Sequence, residues 1–442
     1  GAGVFFGLFP MLRRGRDDLT HGLKDAGRSG MRDRERHRTQ NLLAVSQMAL
    51  ALVLLVGSGL MLRSFQSLRE RDPGFRNAEE ILALRLYLPG SEAPTGNDVA
   101  STYEMIARRL ADVPGVSSVG LSTSIPMHGG GNVNPFLVRG QTMDDEGARV
   151  SRRHKWIGPN YLETMGIPLL MGRNVTWDDV HARAPVALLS ESLAREVFGS
   201  AEEALGQYVA ARPDPPIWKE VIGIVADVRE DGIRSSYPDL VYWPHVTLGF
   251  WEGNPADQVQ VWRGAAFSIR SSRINTPGFL EDVESAIWEI SPNLPLTNVR
   301  PMDQVLASSM AETSFAMVLL GVAGIVALVL GLVGVYGVIS YAVSQRRGEL
   351  GMRMALGAQP GQVKAMVLRQ GLTLAGIGVV LGVGLALGAT RLMSSLLFGV
   401  GAADPLTYVL VAFGLLGVAV LASYLPARRA ARVDPMTALR VE

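Results

Sequence analysis

Three short runs in this 442-residue chain carry side chains capable of chemistry. Asp178 and Asp179 stand near His181, residue types that can hold a divalent cation. Arg152-Arg153-His154-Lys155-Trp156 sets basic groups beside an aromatic ring, a combination suited to an acidic ligand or envelope lipid. Glu349 and Arg353 are four apart, the favourable order for a helical ion pair. Each run has a plainer reading: a solvated loop, an exposed strand face, and an ordinary turn between two helices with a solvated pair. The six histidines, His21, His37, His128, His154, His181 and His245, show no metal-ligand spacing and read as isolated surface residues. Asn174-Val175-Thr176 matches a glycosylation acceptor, meaningful only on a eukaryotic secretory route. With no cysteine there is no disulfide framework and no thiolate metal site or nucleophile. The sequence contains no G-x-x-x-x-G-K-[ST] phosphate loop, so it supplies no site of its own for ATP hydrolysis, and no cofactor is expected.

The elements around these runs are dominated by membrane-length apolar segments. Hydrophobic residues make up 48% of the chain while 19% remain charged, so polar and apolar stretches must be segregated. Four stretches are long enough to span a bilayer: 42–62, 315–343, 372–390 and 406–425. The second would be roughly 43 Å long, more than the hydrocarbon core, and should tilt or project into the aqueous domain. None of the spans contains a charged residue, which leaves no candidate ion or proton relay. Small residues recur within them, notably Gly331 and Gly334 in the second and Gly378, Gly382, Gly384 and Gly388 in the third, spacing that lets helix backbones approach closely.

Basic residues set the orientation. Arginine and lysine collect ahead of the first span, between the second and third (Arg346, Arg347, Arg353, Lys364, Arg369) and after the fourth (Arg428, Arg429, Arg432, Arg440), whereas the 391–405 loop has only Arg391. The basic segments are therefore expected in the cytoplasm and 63–314 outside. The net charge of +1 gives no argument for nucleic acid. Within the external segment, Ile81 to Leu86 reads as a strand, a helix follows an Asn97-Asp98 start signal with Val99, Tyr103, Ile106 and Leu110 on one face, and Val116 to Ile125 reads as a second strand. A similar unit runs from Ala266 to Ile269, through a helix with Phe279, Val283, Ile287 and Ile290, to a strand at Leu294 to Val299. The two units are expected to form one α+β subdomain (75–128 with 265–310), and 129–264 a strand-rich second subdomain, with strands at Val186 to Leu189 and Val221 to Val225.

Between the second and third spans, Glu349-Leu350-Gly351-Met352-Arg353-Met354-Ala355-Leu356-Gly357-Ala358 reads as a short helix that Gly357 can end in a left-handed cap and that Pro360 prevents from continuing. The result is a compact elbow over 344–371. This run, together with Met165-Gly166-Ile167-Pro168-Leu169 and Gly172-Arg173 in the external segment and the one-plus-three span layout, resembles the FtsX/MacB-type permeases of ATP-binding-cassette (ABC) systems. The resemblance covers essentially the whole chain. It implies a membrane α-helical protein with four transmembrane helices and a large extracytoplasmic α+β domain of two subdomains, in the bacterial inner membrane. It further implies a noncatalytic permease whose elbow residues Glu349, Gly351, Arg353, Ala355, Gly357 and Ala358 meet a cytoplasmic ABC ATPase dimer, with an envelope adaptor or outer-membrane channel as a further kind of partner. The alternative is a membrane-anchored receptor or scaffold without an ATPase.

One internal repeat adds to this. Leu8 to Asp18 matches Tyr424 to Asp434, with Pro10, Arg13, Arg16 and Asp18 falling on Pro426, Arg429, Arg432 and Asp434. Residues 1–24 accordingly read as the tail of a preceding permease repeat, 25–41 as a basic linker and 426–442 as the equivalent basic tail. A second permease half, on the same polypeptide, is the expected partner within the membrane lipid.

Overall fold

The computed structural model describes residues 29–129, 131–140, 151–211, 216–250 and 258–432. The repeat at residues 1–24 and the end of its counterpart, 433–442, lie outside the described residues. The chain divides into two compact units, Gly1–Leu62 with Met317–Glu442, and Arg63–Ala316.

The first unit contains the four long apolar helices, Ser29–Arg69, Ala311–Gln345, Pro360–Leu392 and Pro405–Ala430. The first runs well beyond its apolar stretch because nothing after Arg69 stops a helix until Pro73. The fourth starts where Asp404 accepts a hydrogen bond from the Thr407 amide (2.9 Å), with Pro405 at the first helical position. Inside the unit Ala44, Met48, Leu52 and Val56 of the first helix pack with Val335 and Ile339 of the second, Ala375 and Ala386 of the third, and Leu415 and Ala419 of the fourth. The outward faces stay apolar, with Val322, Ile325, Val329, Val380, Leu385, Leu410 and Phe413 all exposed. A helix apolar on both its packed and its outer face belongs in hydrocarbon. The protein is a multi-pass membrane protein of the fold class the sequence predicts.

The extracytoplasmic unit is built on strands β1 (Ile81–Tyr87), β2 (Val116–Ser122), β3 (Ser151–Ile157), β4 (Val186–Ser190), β5 (Lys219–Val225), β6 (Leu240–Pro244), β7 (Gly264–Ser271) and β8 (Thr297–Pro301). Sheet order is β8-β1-β7-β2-β3-β6-β4-β5, extended by Tyr208–Ala210 and Leu137–Val138. The first four strands are antiparallel and interleave two β-α-β units in the order fourth, first, third, second, a ferredoxin-like arrangement. Their crossover helices, Gly96–Ala111 and Phe279–Trp288, lie on one face, where Leu82, Leu84 and Leu86 of β1 meet Val99, Tyr103, Ile106, Phe279, Val283 and Ile287. The insertion has a core of its own around Trp156, Leu189, Val221, Ile224, Val241 and Trp243. The two subdomains nevertheless share one sheet, joined where Ser122 of β2 pairs with Ile157 of β3.

Several element boundaries differ from the sequence reading. The first crossover helix is capped by Thr95, whose hydroxyl accepts from the Asp98 amide (3.2 Å) while the Asp98 carboxylate takes the Thr95 amide (2.8 Å), rather than by Asn97. The second strand stops at Ser122, and the last begins at Thr297, with Leu294 buried in the preceding loop. Asp178 and Asp179 are not in a solvated loop: they open the short helix Trp177–Ala182, and Asp179 is buried, bonded to Thr176 and paired with Arg173 at 2.6 Å. That set of partners holds the Asp179 carboxyl below its ordinary pKa despite the opposing effect of burial, and no group of His, Asp and Glu suited to a metal occurs among the described residues.

Glycine is required where the open face of the four-stranded sheet meets the short helix Tyr161–Met165. A Cβ on Gly120 of β2 would stand 2.6 Å from the Tyr161 Cα. Because the obstacle is backbone, it cannot rotate aside. Gly120→Ala should lower the unfolding free energy of the extracytoplasmic unit by about 1–3 kcal/mol, measured by urea titration of the reconstituted chain.

Candidate functional site

The elbow is assembled by local chemistry. After the second membrane helix ends at Gln345, a short helix spans Arg347–Ala355, and the third membrane helix begins at Pro360. Gly357 adopts φ +96°, and the amides of Gly357 and Ala358 donate to the carbonyls of Met354 (3.1 Å) and Arg353 (3.0 Å). This is the two-bond arrangement that satisfies the last carbonyls of a helix and that an L side chain at the glycine position would strain. Gln359 caps the next helix: its amide donates to the Gln362 side chain at 3.2 Å, with Pro360 at the first helical position. Two caps in five residues fix the angle of the turn.

Its underside is held by Leu350, Val363 and Val367, all buried in the membrane unit's core. The outer side carries the Glu349–Arg353 pair at 2.6 Å, about half exposed on both partners and worth about 0.3 kcal/mol to the helix. Beside it Met352 is 54% and Leu356 82% exposed. A well-capped turn thus presents two apolar side chains around an ion pair. Among the six residues expected there, Gly357 and Ala358 build the cap, Glu349 and Arg353 the ion pair, and Gly351 and Ala355 lie in the short helix between. Met352 and Leu356 were not singled out from the sequence, although Met352 in the short helix and Leu356 just after it, both on the side away from Leu350 by helical spacing, were the available signal.

The packing glycines divide into two groups. A side chain on Gly331 would meet Met48 (3.1 Å), on Gly378 Met48 (2.7 Å) and Val45, and on Gly382 the Ala49 carbonyl and Leu52 (both 3.0 Å), while Gly334 abuts Gln47. All four face the first membrane helix. Gly384 and Gly388 have nothing within 4 Å and do not serve packing inside the described chain. Two close approaches absent from the expected set are Gly59 against Thr407 (2.8 Å) and Gly371 against Ser423.

In the extracytoplasmic unit the basic run is not an exposed strand face. His154, Lys155 and Trp156 on β3 are buried at 2%, 1% and 0% exposure. Lys155 Nζ donates to Glu230 Oε1 at 2.7 Å and lies over the Tyr161 ring. His154 Nδ1 accepts from Trp243 Nε1 at 3.0 Å, and His245 is buried against Tyr103. Two of the histidines read as surface residues are thus core residues, which periodicity could not show because β3 from His154 onward and β6, which His245 follows, are buried on both faces.

The loop after β5 ties the unit together near its two chain ends. Arg71 donates to the carbonyls of Ile233 (2.9 Å) and Arg234 (3.0 Å), Arg229 to that of Asp72 (3.0 Å), and Arg234 to the Thr313 hydroxyl (3.4 Å). Buried Arg229 also donates to the Ser235 carbonyl and stacks on Tyr237. One loop thereby bonds the segment that leaves the first membrane helix and the segment that enters the second.

Residues 42–305 match the MacB-like periplasmic core domain, and 321–435 match the FtsX-like permease C-terminal domain. The chain belongs to the FtsX/MacB permease family. It is 26% identical over 372 residues to the macrolide export ATP-binding/permease protein MacB of Rhodospirillum rubrum, covering 82% of this chain and 52% of that protein. It is 25% identical over 419 residues to the uncharacterized ABC transporter permease YknZ of Bacillus subtilis, covering 92% and 96%. The pyoverdine export ATP-binding/permease protein PvdT of Pseudomonas aeruginosa is 26% identical over 363 residues, covering 81% and 50%. This permease thus spans about half the length of the MacB relative. The periplasmic region of MacB from Actinobacillus actinomycetemcomitans aligns over 55% of this chain and 97% of its own, at 17% identity and a TM-score of 0.35.

Proposed function

We propose that this ABC-type permease couples ATP hydrolysis by a separate cytoplasmic ATPase to movement of its extracytoplasmic domain, in export or in mechanical signalling across the membrane. The observation that carries the proposal is the doubly capped elbow, with Met352 and Leu356 exposed beside the Glu349–Arg353 pair. A receptor that only anchors a domain has no use for a rigid apolar knob between two spans. The membrane spans contain no charged side chain, which favours transmission of movement over a polar path through the bilayer. In this reading, closure of the ATPase displaces the elbow and the two helices leaving it. The arginine-bonded loop 229–237 then receives the movement from both ends of the extracytoplasmic unit. A second permease unit completes the assembly, with lipid around it; an adaptor or outer-membrane channel would extend it for export.

The test is reconstitution in lipid with an ABC ATPase encoded beside the permease. ATP turnover should rise when the permease is present. Gly357→Pro removes the left-handed cap, and Glu349→Arg reverses one charge of the knob; each should cut permease-dependent turnover at least fivefold, about 1 kcal/mol of coupling, with membrane insertion unchanged. Full coupling in both variants would sink the role of the elbow. An ATPase that neither binds the folded permease nor responds to it would favour the receptor or scaffold reading.

A further inference from the structure

A cavity of about 400 Å³ opens in the extracytoplasmic unit where the four-stranded sheet meets the insertion. Arg85 and Tyr87 line it from β1, His154 from β3 and Trp262 from the residues ahead of β7, together with His128 and Asn132. Its size falls within the range of small-molecule sites, and Gly264 keeps its floor low beneath Tyr87.

The chemistry of the lining is one-sided. None of the described lining residues is acidic, and among the described residues no carboxylate pairs with Arg85. The carboxylate nearest the Gly129 wall, Asp231, is occupied by Arg153 at 2.5 Å. His154 lines the cavity with a ring whose tautomer follows from its partner. The Trp243 indole can only donate, so His154 Nδ1 must be the acceptor and Nε2 carries the proton. Burial depresses the imidazole to about 3, which keeps it neutral. That Nε2–H is buried without a hydrogen-bond partner among the described residues, on a side chain that is 98% buried by its 2% exposure. That N–H is closed off from the cavity by its own burial, so Arg85 is the group that can receive an anion there.

We infer that this cavity binds a small organic carboxylate, its oxyanion received by Arg85 and its apolar body by Tyr87 and Trp262. One guanidinium suits a singly charged carboxylate, whereas a phosphate, with nearly twice the charge, would call for a second permanent cation, and Arg85 is the one arginine or lysine among the described lining residues. The Gly129 amide on the cavity wall donates to the Glu230 carbonyl at 3.1 Å, and Glu230 adjoins Arg229 of the loop bonded to Asp72. Occupancy therefore touches the same loop that holds the ends of the unit. The site stands independently of ATPase coupling.

The experiment uses the full chain in nanodiscs, titrated with the N-acetyl derivatives of phenylalanine, leucine and alanine, with their carboxamides, and with inorganic phosphate, read by tryptophan fluorescence and calorimetry. The expected result is saturable binding of at least one acid, at least tenfold weaker binding of its amide, and at least tenfold weaker binding of the acid to Arg85→Gln. No saturable binding of any acid to the folded chain overturns the proposal, as does equal binding of acid and amide. Phosphate binding as tightly as the best acid overturns the assignment to an organic carboxylate. Should Arg85→Gln fail to fold, the acid and amide comparison on the unaltered chain decides.

Discussion

Lys155→Met should lower the unfolding free energy of the extracytoplasmic unit by about 3–5 kcal/mol, the usual cost of stranding one charge of a buried pair. Lys155 and Glu230 are 1% and 3% exposed, in contact at 2.7 Å, with the Lys155 ammonium over the buried ring of Tyr161. Desolvation is the largest influence on Lys155 and lowers its pKa, with the Glu230 carboxylate opposing it. Each charge is tolerated because of the other. The double variant Lys155→Met with Glu230→Leu should therefore recover most of the loss, ending within about 1–2 kcal/mol of the parent, since replacing both partners by apolar groups removes the desolvation cost together with the attraction. Urea unfolding followed by the fluorescence of Trp156 and Trp243, both close to the pair, measures all three proteins. A loss below about 1 kcal/mol in the single variant would mean that water reaches the pair and that it contributes little more than a surface ion pair.

This pair also shows where reading the sequence stops. The four membrane helices, both crossover helices and the elbow's caps are written in local signals: apolar length, helical spacing, and a glycine followed by a proline three residues on. Arg152 to Trp156 carries no such signal of burial. A strand with a histidine and a lysine next to two arginines has the composition of a wet face, and only the partners brought from elsewhere, Glu230, Tyr242 and Trp243, make it interior. The same limit applies to the glycines. Gly378 and Gly382 pack on the first helix while Gly384 and Gly388 do not, and that difference lies in the rotation of the third helix against its neighbours, which spacing alone leaves free. For the elbow, local chemistry accounts for the turn, whereas exposure of Leu356 depends on which side of the short helix the core takes through Leu350.

The two buried histidines make the extracytoplasmic unit sensitive to mild acid. Burial holds His154 at about 3 and His245 at about 4, both below the ordinary value of 6.5. The folded unit therefore keeps both rings neutral at pH values where the unfolded chain takes up two protons. Between these limits the unfolded state binds more protons, so stability falls as pH falls, by up to about 1.4 kcal/mol per pH unit for each ring. The contribution is present in full above about pH 6.5 and lost progressively toward 3–4. From pH 6.5 to 5 the two rings together should lower the unfolding free energy by roughly 3 kcal/mol. The paired carboxylates Glu104, Asp179 and Glu289 are held below their ordinary range and begin to matter only at lower pH, whereas Glu196, raised by burial and by Asp239, works against the histidine slope as pH falls. Urea midpoints at half-unit steps of pH would trace the slope, and His245→Gln should remove about half of it while leaving the Trp243 bond to His154 in place. A midpoint that stays level across the window would show that both rings take up a proton in the folded unit as readily as in the unfolded chain. In an extracytoplasmic compartment that acidifies, the same slope would loosen the packing of His154 against Trp243 and Phe250 and of His245 against Tyr103.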